Sequence, residues 1–75
     1  MWYEQINYFM EQEMYVARDL SNDLYLYIGY APVKDNKEIW TVNSNANYCE
    51  LNPNLFSEVK WTDEKPTKVR LEKII

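Results

Sequence analysis

The clearest structural pattern in the chain is Tyr15-Val16-Ala17-Arg18-Asp19-Leu20-Ser21-Asn22-Asp23-Leu24-Tyr25-Leu26-Tyr27-Ile28. In its second half, aliphatic residues at positions 24, 26 and 28 alternate with tyrosines at positions 25 and 27. A period of two places alternate side chains on opposite faces of a β-strand. The polar side chains over residues 19–23 supply turn chemistry where glycine is absent. We therefore predict a β-hairpin with strands over residues 15–18 and 24–28.

The residues after this hairpin predict further short strands. We expect strands over residues 38–42, 48–51, 58–61 and 68–72, separated by turns or loops that contain Pro, Asn, Asp and Lys. Asn52-Pro53 has the pattern of a helix N-cap with proline at the first helical position, so one helical or 3₁₀ turn is expected there. The charged alternate positions of the last strand suit a sheet edge.

The residues before the hairpin have helical spacing. Trp2, Ile6, Phe9 and Met10 fall on one face of a helix, which predicts an amphipathic helix over residues 2–12. A helix that continues to Leu20 is the alternative. Seventy-five residues allow one small domain, residues 1–75. The predicted fold class is α+β, with a short N-terminal helix packed on a meandering antiparallel sheet of four to six strands.

The composition argues against catalysis. The chain has no histidine and a single glycine, Gly29, which removes the usual general base, the common nucleophile triads and phosphate-binding glycine loops. Carboxylate pairs such as Asp63/Glu64 are typical of a solvated surface. We predict a protein that is not an enzyme, with no catalytic residues, no metal site and no cofactor.

Cysteine content and hydropathy bear on the compartment. The lone Cys49 has no partner for an internal disulfide and no histidine to activate it. The N-terminus lacks the pattern of a secretory signal, and no stretch of the sequence is apolar enough to span a membrane. These features predict a cytoplasmic protein without membrane contact, in the host cytoplasm if it is encoded by a phage.

The negative charge is concentrated in the first part of the chain. Residues 1–33 carry five acids and one base, whereas residues 34–75 carry seven of each, so the net charge of −4 lies in the first segment. Such a surface repels phosphate backbones and attracts basic ones. Four acids and two tyrosines of one predicted sheet face are the candidate partner-binding residues: Glu11, Glu13, Asp19, Asp23, Tyr25 and Tyr27.

The large aromatic side chains leave alternatives open. Tyr25 and Tyr27 can lie in an interface, because tyrosine combines a large contact area with a polar tip, or in a core or half-buried position. For Trp40, Phe56 and Trp61 we expect the core, because a small domain needs large side chains to fill its centre.

Several segments together resemble short open reading frames of bacterial phages and prophages. These are Tyr-Val-Ala-Arg-Asp through Leu-Tyr-Leu-Tyr-Ile, Pro-Val-Lys, Ile-Trp, Asn-Pro-Asn-Leu-Phe-Ser-Glu-Val-Lys-Trp and Pro-Thr-Lys-Val-Arg-Leu, within residues 15–72. The resemblance implies a small protein that binds and disables a host protein. It carries over no functional residue.

These observations predict a protein-binding module, in its most concrete form an inhibitor whose acidic N-terminal half occupies a basic, nucleic-acid-binding groove of a host enzyme. A homodimer or assembly component that pairs through an edge strand is the first alternative. A weak binder of single-stranded nucleic acid, with aromatic stacking beside the lysines, is the second. We expect direct nucleic-acid binding to be absent or weak, because the bases are matched by acids.

Overall fold

A computed structural model describes residues 13–35 and 37–70, and these residues form two antiparallel sheets. The strands in chain order are β1 (Met14–Arg18), β2 (Leu24–Ile28), β3 (Val33–Lys34), β4 (Trp40–Thr41), β5 (Asn47–Leu51) and β6 (Thr67–Val69). The larger sheet has the order β5-β2-β1-β6, and β3 pairs with β4 in a separate ribbon.

The β1–β2 hairpin is the centre of the larger sheet. Its register places Tyr15 opposite Tyr27 and Ala17 opposite Tyr25. The backbone N–H of Asp19 donates to the carbonyl of Asp23 at 2.9 Å, which closes the hairpin loop. The predicted hairpin is therefore confirmed, and so is the strand predicted over residues 48–51, which falls within β5.

Each face of the larger sheet carries its own core. On one face Val16 and Leu24 pack with Val59, and Leu26, Leu51 and Val69 lie around them. On the other face Ala17 and Tyr27 pack with Trp40, and the half-buried rings of Tyr15, Tyr25 and Trp61 surround them together with Val42. The period-two pattern of β2 thus separates an aliphatic face from an aromatic one.

Arg18 fixes the long segment that covers the aliphatic face. It is the last residue of β1, and its side chain points to the face that carries Val16 and Leu24. Its guanidinium donates to the carbonyls of Val59 at 2.7 Å and Leu55 at 2.9 Å. It also donates to the carbonyls of Pro53, Phe56 and Asn22. Donors from one buried side chain therefore hold the turns over residues 52–59, which have no ladder of their own.

The predicted α+β class is wrong. The described residues contain six strands and no helix, so the chain in residues 13–35 and 37–70 is all-β. The helix predicted over residues 2–12 lies outside the described residues, and its proposed extension to Leu20 is contradicted by β1. Tyr15 and Val16 favour a strand, and the pairing of β1 on both sides fixes it there.

Other predictions for single elements also need correction. The segment predicted as a strand over residues 58–61 forms turns, with Val59 buried among the aliphatic residues. Residues 52–56 form turns without a helix, and the sheet is not a simple meander because β6 returns beside β1. Trp40 lies in the core as predicted, and Trp61 is half-buried against it. Phe56 is 39% exposed, and its backbone carbonyl contacts Arg18.

Candidate functional site

Three tyrosines form a continuous aromatic surface on the larger sheet. Tyr25 and Tyr27 project from one face of β2, and the register of β5 sets Tyr48 directly opposite Tyr27. The ring centroids are 6.3 Å apart for Tyr25 and Tyr27, 6.2 Å for Tyr25 and Tyr48, and 6.1 Å for Tyr27 and Tyr48. These spacings are typical of favourable aromatic pairs. We call these three residues the tyrosine surface.

Burial changes steeply across the tyrosine surface. Tyr27 is 4% exposed and belongs to the core, Tyr25 is half-buried, and Tyr48 is 62% exposed. The core or half-buried alternative therefore holds for Tyr25 and Tyr27, whereas an interface role for them stays a prediction. The buried ring gives the exposed ones a rigid support, which lowers the entropy cost of ordering them in an interface.

A groove of about 360 Å³ runs beside the tyrosine surface. The three tyrosines form one wall, and the segment that contains β4 forms the other, with Ile39, Trp40, Thr41 and Val42. Asp19 also lines this groove. The groove is open, and its volume is sufficient for a side chain of another protein.

Asp19 joins β4 to the larger sheet. Its Oδ1 atom accepts a hydrogen bond from the backbone N–H of Trp40 at 3.0 Å. The indole Nε1–H of Trp40 in turn donates to the carbonyl of Arg18 at 3.0 Å. Burial raises the pKa of the Asp19 carboxyl, and the hydrogen bond from Trp40 opposes that shift only in part. Asp19 therefore has a structural role and also brings negative charge to the groove.

Carboxylates border the tyrosine surface. Burial is the largest cause that raises the pKa of Tyr25, and the negative charges of Glu50, Asp23 and Asp19 raise it further. Burial, with the charge of Asp19, raises the pKa of Tyr27 to about 12. The phenol groups of Tyr25 and Tyr27 therefore remain protonated at neutral pH, and the region around them has a negative potential.

The structure brings four of the six predicted site residues together. Asp19, Asp23, Tyr25 and Tyr27 lie at the loop end and along β2 of the hairpin. Glu13 precedes β1 at the opposite end, where it accepts hydrogen bonds from the Tyr15 hydroxyl at 2.7 Å and from Lys68 Nζ at 3.3 Å. These two contacts lower its pKa. Glu11 lies outside the described residues. The assignment of the six residues to partner binding stays a prediction.

Sequence reasoning missed Tyr48 and Glu50. Both lie in a strand that the sequence predicts, and both project to the aromatic face because they are opposite Tyr27 and Tyr25. Their positions two apart in the sequence indicated a shared face. The pairing of β5 with β2, which the sequence does not reveal, was needed to place that face beside the tyrosines.

The aromatic face already holds one cation. Lys34 Nζ lies 4.4 Å from the ring centroid of Trp61 and 5.4 Å from that of Trp40, within the range of cation–π attraction. The two indole rings are 6.4 Å apart in an edge-to-face arrangement. The same chemistry is available at the exposed tyrosine rings for a cation that comes from a partner.

Comparisons of the chain with protein-family models, with curated proteins and with solved structures found no match. In the described part of the chain, no three His, Cys, Asp or Glu residues are grouped so that they could hold a metal ion. No helix among the described residues has the length and apolar character needed to cross a membrane. The site is therefore interpreted from its own geometry.

Proposed function

We propose that the protein is a non-enzymatic protein-binding module that contacts a basic segment of its partner through the tyrosine surface. The observation that carries this proposal is the exposed ring of Tyr48, which is joined to Tyr25 and Tyr27 and bordered by carboxylates. Large aromatic side chains on a rigid support are typical of the residues that dominate binding energy in interfaces.

The charge around the tyrosine surface favours a basic partner. Arginine and lysine side chains are attracted both to the face of an aromatic ring and to carboxylates. Asp23 and Glu50 are exposed beside the tyrosines and supply those carboxylates. A nucleic acid would bring phosphates to the same region and would be repelled.

The most concrete form of the proposal is an inhibitor of phage type. A basic groove that normally holds nucleic acid on a host enzyme would accept Asp23 and Glu50 in place of phosphates, with the tyrosines as apolar contacts. Asp19 is buried and engaged with Trp40, so in this proposal it contributes long-range charge and no direct contact.

Single-stranded nucleic acid remains the less favoured ligand. Stacking of bases needs exposed rings next to cations that follow the backbone. Lys34 lies over the tryptophans, but the tyrosine surface is bordered by acids. The homo-oligomer alternative is favoured by the position of β5, which is an edge strand of the larger sheet among the described residues.

A pull-down with matched variants tests the proposal. The surface variant carries Asp23→Asn and Tyr25→Ala, and the control carries Glu58→Gln and Tyr30→Ala, the same two kinds of change at exposed positions outside the tyrosine surface. Each tagged protein is incubated with a bacterial lysate, and bound proteins are quantified by mass spectrometry.

The proposal predicts one or a few proteins that bind the wild type and the control but are lost with the surface variant. Thermal melting of each variant verifies that it folds. If every specifically bound protein binds the folded surface variant as well as it binds the wild type, the tyrosine surface is not the binding site.

A further inference from the structure

Strand β5 leaves a regular row of backbone groups at the edge of the larger sheet. The N–H of Gly29 donates to the carbonyl of Glu13, and the N–H of Asp19 donates to that of Asp23, so the odd-numbered residues of β2 point their backbone groups toward β1. The even-numbered residues of β2 therefore point toward β5, and their partners are residues 47, 49 and 51.

The backbone groups of Tyr48 and Glu50 consequently point away from the sheet. Within residues 13–35 and 37–70, these N–H and C=O groups make no turn or loop hydrogen bond. Exposed edges of this kind template pairing with another strand. The opposite edge is different, because Pro66 precedes β6 and Lys68 is at its centre, and proline and lysine are residues that block edge pairing.

We propose that β5 pairs with β5 of a second copy of this chain, antiparallel and with Cys49 opposite Cys49 on the twofold axis. In this register Tyr48 of each copy lies opposite Glu50 of the other copy. These are the two residues whose backbone groups point outward from β5. Each such pair exchanges two backbone hydrogen bonds, so β5 forms four hydrogen bonds with β5 of the second copy.

Side-chain chemistry supports a second copy over an unrelated strand. Residues directly opposite in an antiparallel pair project to the same face, so each Tyr48 hydroxyl comes near the Glu50 carboxylate of the second copy. The protein already uses this contact elsewhere, since the Tyr15 hydroxyl donates to Glu13 at 2.7 Å. No like charges are placed opposite each other, because Asn47 faces Leu51 in this register.

The proposed dimer has a clear architecture. A twofold axis normal to the sheet joins two four-stranded sheets into one of eight strands and keeps both tyrosine surfaces on the same side. The dimer does not rest on the proposed partner binding, because it uses backbone groups of the edge. In the dimer Glu50 is paired with Tyr48 of the second copy, so Asp23 is the carboxylate beside the tyrosines that remains for a basic partner. The interface is small, so we expect a dissociation constant of about micromolar.

Light scattering after gel filtration, over a range of protein concentrations, tests the dimer with two matched variants. Glu50→Pro removes an outward N–H from β5, and Lys68→Pro makes the same change at the outward position of β6. We expect the wild type and Lys68→Pro to dimerise and Glu50→Pro to remain a monomer. Circular dichroism verifies that both variants fold. A wild type that is monomeric up to millimolar concentration overturns the proposal.

Oxidative cross-linking tests the register without depending on the proline variants. Cys49 and its symmetry mate form a pair without backbone hydrogen bonds, with Cα atoms about 4.5 Å apart, which is within the range of a disulfide. Diamide takes up two electrons and two protons from the two thiols as the S–S bond forms. The control is Cys49→Ser with Ser21→Cys, which moves the thiol to another exposed position.

We expect the wild type to cross-link about tenfold faster than the control, because pairing raises the local concentration of the thiol. Equal rates for the two proteins would exclude the register centred on Cys49. A dimer that persists in Glu50→Pro would show that another surface joins the copies, and it would also overturn the proposal.

Discussion

Arg18 connects strand β1 to the turns over residues 52–59 through its buried guanidinium. It is 7% exposed and donates to five backbone carbonyls, with no carboxylate among its hydrogen-bond partners in residues 13–35 and 37–70. A buried guanidinium is tolerated when its donors are satisfied, and a planar fork of five N–H groups matches several acceptors at once. Residues 52–59 are thereby tied to β1 without regular secondary structure.

Replacing Arg18 by lysine tests this role. Arg18→Lys keeps the positive charge but has three donors on one atom, so several carbonyls lose their partner. We expect the free energy of unfolding to fall by about 2–3 kcal/mol. Lys65→Arg, at an exposed position, is the control and should leave it unchanged within about 0.5 kcal/mol. Urea denaturation measures both, and equal midpoints would contradict the role given to Arg18.

Asp19 provides a second test at the level of one residue. Its folded pKa is raised by burial, so the charged form is disfavoured in the folded state. Asp19→Asn keeps an oxygen that can accept from the N–H of Trp40 and removes the charge. We expect Asp19→Asn to be as stable as the wild type or slightly more stable at pH 7, whereas Asp19→Ala loses the acceptor and is less stable by about 1–2 kcal/mol.

The sign of the pH dependence follows from the direction of the shift. A raised folded pKa means that the contribution of Asp19 to stability is present below the unfolded pKa and is lost as pH rises through the folded pKa. The stability of the wild type relative to Asp19→Asn should therefore decrease as pH increases from the acid range to neutrality. Urea denaturation at a series of pH values measures this difference, and an increase would contradict the assignment.

The loop of the β1–β2 hairpin shows how single elements are specified. Asn22 has a φ of 81°, in the left-handed region that asparagine and glycine tolerate better than other residues. Its carbonyl also accepts from Arg18 Nη1 at 3.0 Å. The loop therefore both reverses the chain and contributes an acceptor to the buried guanidinium.

Two substitutions at Asn22 test the backbone conformation, because both remove the side-chain amide, whose Oδ1 atom accepts from Arg18 Nη1 at 3.4 Å. Asn22→Gly retains the left-handed conformation and the carbonyl, so we expect the free energy of unfolding to change by less than about 0.5 kcal/mol. Asn22→Ala adds the cost of a left-handed backbone, about 1 kcal/mol or somewhat more. Thermal or urea unfolding of the pair measures the difference. If the Asn22→Ala variant were as stable as the Asn22→Gly variant, the left-handed backbone at this position would not contribute to the free energy of unfolding.

The hairpin and β5 could be predicted from the sequence because alternation and turn residues are local signals. Residues 58–61 have the β-forming composition of a strand but form turns, because their position is set by Arg18, which is about forty positions away in the chain. The sequence predicts turns or loops between residues 28 and 38, but β3 forms there and pairs with β4. Contacts between residues distant in the chain decided these elements, and local propensity does not report them.

The candidate site was predictable to a similar extent. The shared face of Tyr25 and Tyr27 followed from alternation, and the acids of the hairpin loop followed from charge distribution. The sequence did not indicate that Asp19 is buried or that Tyr48 and Glu50 complete the surface. Both facts depend on which strand pairs with β2 and on the packing of Trp40 against the sheet.

The two faces of the larger sheet carry different side chains and different coverings. The aliphatic face is covered by the segment that Arg18 holds, and the aromatic face presents the tyrosine surface with its acidic border. We propose that the aromatic face binds a basic segment of a protein. A binding site of that kind should respond to a cationic peptide even before the natural partner is identified.

Chemical-shift mapping by NMR tests this binding, by titrating the protein with a short peptide of alternating arginine and alanine. We expect the largest amide shifts in β2 and β5 around Tyr25, Tyr27 and Tyr48, reduced in the Asp23→Asn, Tyr25→Ala variant and kept in the Glu58→Gln, Tyr30→Ala control. A single-stranded oligonucleotide should cause little change there. Shifts that are spread evenly over the protein, or a stronger response of the tyrosine surface to the oligonucleotide, would contradict the binding of a basic segment by this surface.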